Sequence, residues 1–145
     1  MTKARARNIF VSIFLVSLAV QLICVVAVYV SGAIYPSDLT SILAKLLGIY
    51  AVPLAIIFGA VFATGKSVRR SVQISPALFG IASALVILWN LAFVWRSVLF
   101  CVAGFDARIT DQTEYLVSYF DVVAGGGSFL LAGVLAFFFG KAESA

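Results

Sequence analysis

Apolar residues in this chain gather into four runs separated by short polar breaks, from about residue 10 to 30, 42 to 63, 77 to 100 and 115 to 140. Each run is about 20 residues or longer, and a helix rising ~1.5 Å per residue then crosses a hydrocarbon core of ~30 Å. The breaks carry turn chemistry. Gly32 and Pro36 interrupt the chain after the first run, Pro76 stands at the first turn of the third, and Gly65-Lys66-Ser67-Val68-Arg69-Arg70 ends the second in a basic loop. Gly104 to Glu114 is the most polar connection, too short to form a domain. The pattern predicts an all-α integral membrane protein, with residues 1–145 forming one four-helix transmembrane domain in an antiparallel bundle.

Composition agrees. Of the residues 63% are hydrophobic and 11% charged, against roughly 25% charged in a soluble domain. The charges divide by side. Lys3, Arg5, Arg7, Lys66, Arg69, Arg70 and Lys141 fall on one side with only Glu143 as acid, whereas Lys45, Arg96 and Arg108 share the other with Asp38, Asp106, Asp111, Glu114 and Asp121. By the positive-inside rule both termini are cytoplasmic, in a bacterial inner membrane. A cleaved secretory signal is the competing reading of Met1 to Ala33, but the apolar run exceeds the ~7–15 residues of a signal core. The net charge of +4 is split into short groups flanking the spans, so topology explains it without nucleic acid.

The inventory excludes much chemistry. There is no histidine, and Cys24 and Cys101, the two cysteines, lie far apart in sequence. Imidazole-activated nucleophiles, His-containing zinc sites, Cys-x-x-Cys pairs and Fe–S ligand sets are therefore absent. No catalytic residue, metal or cofactor is expected. Cys101 is placed at the outer end of its span and Cys24 deeper in its own, so both are read as free thiols.

Small residues form two stripes. Ala124, Ser128, Ala132, Ala136 and Gly140 recur every four positions in the fourth span, and Ala51, Ala55 and Gly59 do so in the second. In lipid such stripes let helices approach closely, within one chain or between copies. Arg96 and Asp121 sit at similar depth in the outer part of neighbouring spans, and an ion pair between them is expected, with Asp121 lining an aqueous cavity in an oligomer as the alternative. Gln21 and Asn90 are placed for hydrogen bonds between helices. Pro53 is expected to kink the second span and Lys45 to snorkel outward. Trp95, Tyr115 and Tyr119 suit an outer aromatic belt, Trp89 sits deeper, and Phe10, Phe14 and Phe137 to Phe139 are expected to face lipid. Lys3, Arg5, Arg7, Lys66, Arg69 and Arg70 would form a basic cytoplasmic face able to hold anionic lipid or an acidic protein.

These features favour a non-enzymatic membrane subunit, a scaffold, sensor or anchor that forms a homo-oligomer or joins a membrane complex. An oligomeric channel is the alternative, since four slim helices enclose little alone. A solute transporter ranks lower: small multidrug transporters have this span count, but their acidic residue belongs in the first helix, where this chain has Gln21. In size and layout the chain resembles small four-span bacterial proteins, including colicin-immunity-type proteins and the membrane components of anti-phage systems such as Kiwa. That resemblance implies a place in bacterial defence or immunity.

Overall fold

The computed structural model describes residues 2–63, 73–104 and 112–139. Their order is α1 (Lys3–Val30), α2 (Pro36–Ala63), α3 (Pro76–Gly104) and α4 (Gln112–Phe139). All four are long and apolar enough to cross a membrane. The helices outrun most of the apolar spans because polar residues at their ends cap them. The Thr2 hydroxyl accepts from Arg5 N at 3.4 Å and the Ser75 hydroxyl from Leu78 N at 3.2 Å, occupying amides that a first helical turn leaves free. Pro36 and Pro76 each open a helix, where a missing N–H costs nothing.

α1 stops by a defined device. Gly32 takes φ +78°, its N–H reaches Tyr29 O at 2.9 Å, and Ala33 N reaches Val28 O at 3.3 Å. This is the paired hydrogen-bond closure of a Schellman motif, which places its left-handed residue where glycine is favoured. By contrast α2 runs through Pro53 as one helix from Pro36 to Ala63.

In cross-section the order is α1, α3, α4, α2, closing back on α1. α1 and α3 pack most extensively, followed by α2 and α4; among the described residues the backbones of α2 and α3 do not meet, although they are consecutive. Large rings fill the space between. Phe14, Tyr50, Trp89, Phe93 and Phe120 touch in succession, with centroids 4.7–6.2 Å apart, each such pair contributing about 0.5–1.5 kcal/mol beyond burial.

The expectation that Phe10, Phe14 and the Phe137 to Phe139 run face lipid is corrected. Phe10, Phe14, Phe138 and Phe139 are buried, and Phe137 is half-exposed. Phe10 meets Phe138 edge-on at 4.9 Å and Phe79 at 5.8 Å. These helices are apolar on every side, so hydrophobicity alone does not tell the lipid face from the core face. Branched residues such as Val16, Ile23 and Val30 take the outside of α1 instead.

Candidate functional site

Four polar residues are buried among the described residues: Ser17, Gln21, Asn90 and Ser97. Two lie on α1 and two on α3, and a side chain from α2 joins Gln21 to Asn90. Gln21 Nε2 donates to the Tyr50 hydroxyl at 2.6 Å and to Ser17 O at 3.1 Å. The Tyr50 hydroxyl donates to Asn90 Oδ1 at 3.0 Å, and Asn90 Nδ2 donates to Val86 O at 2.8 Å. Gln21 and Asn90 thus join neighbouring helices as their polarity suggested, but through Tyr50. Gln21 Oε1 and Ser97 Oγ have no hydrogen-bond partner among the described residues.

The expected ion pair between Arg96 and Asp121 does not form. Asp121 pairs with Lys45 of α2, and the Arg96 guanidinium lies over the Tyr115 ring at 4.3 Å and over the Tyr119 ring at 6.0 Å from its centroid. Helical rotation accounts for this. Tyr115 and Tyr119, four residues apart, share the face that meets α3, where the Tyr119 hydroxyl also donates to Ala92 O at 3.4 Å. Asp121 stands about 200° further around the helix at ~100° per residue, which directs it toward α2. Lys45 meets this carboxylate rather than reaching outward unpaired.

Beside this ion pair runs a half-open groove of about 680 Å³ between α2 and α4, with Trp89 of α3 among its lining. Its walls are small or apolar: Ala44, Gly48 and Ile49 on one side, Ala124, Ser128 and Ala132 on the other. Pro53 also lines it and lacks an N–H, so the carbonyl of Ile49, four residues earlier and in the same groove, loses its helical donor. Lipid-exposed free backbone groups are costly, and they are tolerated where they line a protein cavity. Trp89 and Leu131 also line a smaller hollow of about 350 Å³ between α3 and α4.

Among the described residues most of the small-residue stripes are left uncovered by the chain's own helices, whereas Ala124 packs against the core. Ser128, Ala132, Ala136, Ala51, Ala55 and Gly59 are exposed and Ala124 is half-buried. A Cβ added at Gly48, Gly59, Gly125, Gly126 or Gly133 would meet nothing within 4 Å. Gly127 is different, since a Cβ there would lie 3.1 Å from Trp89 Cδ1. Gly140 lies outside the described residues.

Of the basic residues, Arg5 is exposed, Arg7 lies over the Phe139 ring at 5.3 Å, and Thr2 pairs with Gln73 just before α3. One end of the molecule therefore collects the starts of α1 and α3 and the end of α4. Lys66, Arg69 and Arg70 lie outside the described residues, as does the Lys3 side chain. Trp95 and Tyr115 are exposed, Tyr119 is half-buried and Trp89 is buried.

Both cysteines are free thiols, as read from the sequence. Cys24 on α1 is buried and Cys101 on α3 is half-buried. Span ends read from sequence locate a residue only to about one helical turn, ~5.4 Å. α3 continues to Gly104, past the expected end at residue 100, which keeps Cys101 within the helix.

Comparisons with protein families, with curated proteins and with solved structures give no match.

Proposed function

We propose that this chain is a non-enzymatic membrane subunit that associates with copies of itself through the face shared by α2 and α4. The observation that carries this reading is the Lys45–Asp121 pair, whose side chains are 34% and 57% exposed. Both residues stand four to five positions from the middle of their helices, roughly 7 Å along the axis and inside a core of ~15 Å half-thickness. Charges exposed to hydrocarbon at that depth are costly. A second copy covering the face removes that cost, and in a two-fold arrangement each Lys45 also faces the other copy's Asp121. The uncovered small residues Ser128, Ala132, Ala51 and Ala55 permit the close approach such contact needs.

The antiparallel bundle is part of this reading. Contacts between α3 and α4 support it, because numbers fall on one helix as they rise on the other: Trp89 with Gly127, Phe93 with Phe120, Arg96 with Tyr115. Cytoplasmic termini in a bacterial inner membrane follow from the distribution of Lys and Arg. The basic inner side then recruits anionic lipid or an acidic protein, consistent with a component of a defence or immunity system.

The test is the mass of the detergent-solubilised protein together with energy transfer between labelled copies in vesicles. Wild type is expected to be oligomeric. Ala132→Leu, which fills the groove without crowding the core, is expected to shift it toward monomer, whereas Val16→Leu on the outer face of α1 leaves it unchanged. A monomeric wild type overturns the reading. The exposed Asp121 carboxylate favours one second reading, a channel whose lining includes this face. Selective ion flux in liposomes that Asp121→Asn abolishes, with the oligomer intact, would establish it.

A further inference from the structure

Arg96 carries a permanent positive charge, and among the described residues no acid pairs with it, since the ion pair there is Lys45 with Asp121. Its Nε is buried without a hydrogen-bond partner, and its guanidinium lies over the rings of Tyr115 and Tyr119. Position along the helices sharpens the point. Arg96 stands six positions beyond the middle of α3, roughly 9 Å along the axis and within a hydrocarbon core of ~15 Å half-thickness. Tyr115 stands about ten positions from the middle of α4, roughly 15 Å out and at the edge of that core. By stacking on Tyr115 the guanidinium reaches the depth of lipid headgroups, and the ring holds it there. Arg96 is half-buried, while Trp95 and Tyr115 beside it are 60% and 61% exposed, so a lipid has access to the charge.

We infer that Arg96 holds the phosphate of a zwitterionic phospholipid, of the phosphatidylethanolamine class, and that Glu114 receives its ammonium group. A guanidinium presents paired N–H donors that match two phosphate oxygens. At the edge of the hydrocarbon core the lipid phosphate is the oxyanion at hand, and it removes the cost of an unneutralised charge at that depth. The charge of the headgroup follows from its surroundings. Glu114 is exposed and one position before Tyr115, and the chain from residue 104 to 114 carries Asp106, Asp111 and Glu114 against Arg108. A net anionic headgroup is repelled by that excess of acids, whereas a zwitterion offers them its amine. The site rests on the contact between α3 and α4. It holds whichever way the chain faces, and it does not depend on the face shared by α2 and α4.

The test uses the full chain in dodecyl maltoside, mixed with one lipid at a time and weighed by native mass spectrometry. Phosphatidylethanolamine, phosphatidylglycerol and diacylglycerol with the same tails separate the parts played by amine, phosphate and tails. Arg96→Gln is expected to lose one bound phosphatidylethanolamine per chain, its affinity falling at least about tenfold, with diacylglycerol binding unchanged. Arg5→Gln, at the opposite end of the molecule, is expected to keep that lipid. Glu114→Gln is expected to lower the retention of phosphatidylethanolamine relative to phosphatidylglycerol by about threefold. Excess inorganic phosphate is expected to leave the lipid in place. The proposal is overturned by unchanged phosphatidylethanolamine in Arg96→Gln, by an equal loss of diacylglycerol, or by an unchanged ethanolamine preference in Glu114→Gln. Displacement by inorganic phosphate would reassign Arg96 to a free anion and overturn it as well. The exposed Glu114 variant decides even if Arg96→Gln fails to insert.

Discussion

At the residue scale the Tyr50 hydroxyl matters most, because it accepts from Gln21 Nε2 and donates to Asn90 Oδ1 while its ring packs against Phe14 and Trp89. It connects α1, α2 and α3 at one point, and it compensates for the missing backbone contact between α2 and α3. Tyr50→Phe keeps the ring and removes the bridge, leaving Asn90 Oδ1 without a donor. Interhelical hydrogen bonds in membranes contribute about 0.6–2 kcal/mol. Detergent-unfolding titration is expected to show a loss of about 1–2 kcal/mol in Tyr50→Phe, and an unchanged midpoint would mean that the bridge contributes nothing to stability. Gln21 and Asn90 stood out in the sequence as polar residues in apolar spans. Tyr50 did not, since tyrosine in a membrane helix suits an interfacial anchor as well as a core donor.

At the element scale the glycines of α4 divide by what lies opposite them. Gly127 faces the Trp89 indole, so that a methyl group there would sit 3.1 Å from Cδ1 and 3.4 Å from Nε1. The neighbouring Gly126 has open space at the same position. Gly127→Ala is expected to lower stability by about 1–3 kcal/mol through overpacking. Gly126→Ala, which only improves helix propensity, is expected to be neutral or to gain up to about 1 kcal/mol. Matched unfolding curves in one detergent check both, and equal effects would remove Gly127 as the point of close approach. The every-fourth-residue stripe was visible in the sequence, yet the residue in tight contact lies beside that stripe. Periodicity marks which residues share a face. It does not say whether that face meets a helix, lipid or a second copy.

The same ambiguity separates Arg96 from Asp121. Equal depth suggested a pair, but pairing also requires facing sides, and the rotation of α4 presents Tyr115 and Tyr119 to Arg96. Lys45 was visible as a charge in the second span, and nothing in its neighbours marked it as the partner.

At the scale of the whole molecule the two ends differ. Thr2, Gln73 and Phe139 gather at one end together with Arg5 and Arg7, and the chain from 64 to 72 that carries Lys66, Arg69 and Arg70 leads into Gln73. Reporter fusions at residue 145 and between residues 66 and 70 are expected to lie in the cytoplasm, and a fusion between 104 and 114 outside. Neutralising Arg69 and Arg70 is expected to leave this arrangement in place and to reduce co-purification of an acidic partner or anionic lipid. Inversion of the reporters in that variant would assign those bases to orientation alone.

Helix number, type and approximate extent were determined by the sequence, because a run of about 20 apolar residues in lipid satisfies its backbone hydrogen bonds only as a helix. The segregation of Lys and Arg was equally plain, since it is a property of order along the chain. Tertiary structure decided the ring order of the helices, the burial of Phe10, Phe14, Phe138 and Phe139 and the Lys45–Asp121 pair. The reason is physical. When the solvent is as apolar as the core, neither side of a helix is marked by hydrophobicity, and shape and a few polar contacts choose which sides meet.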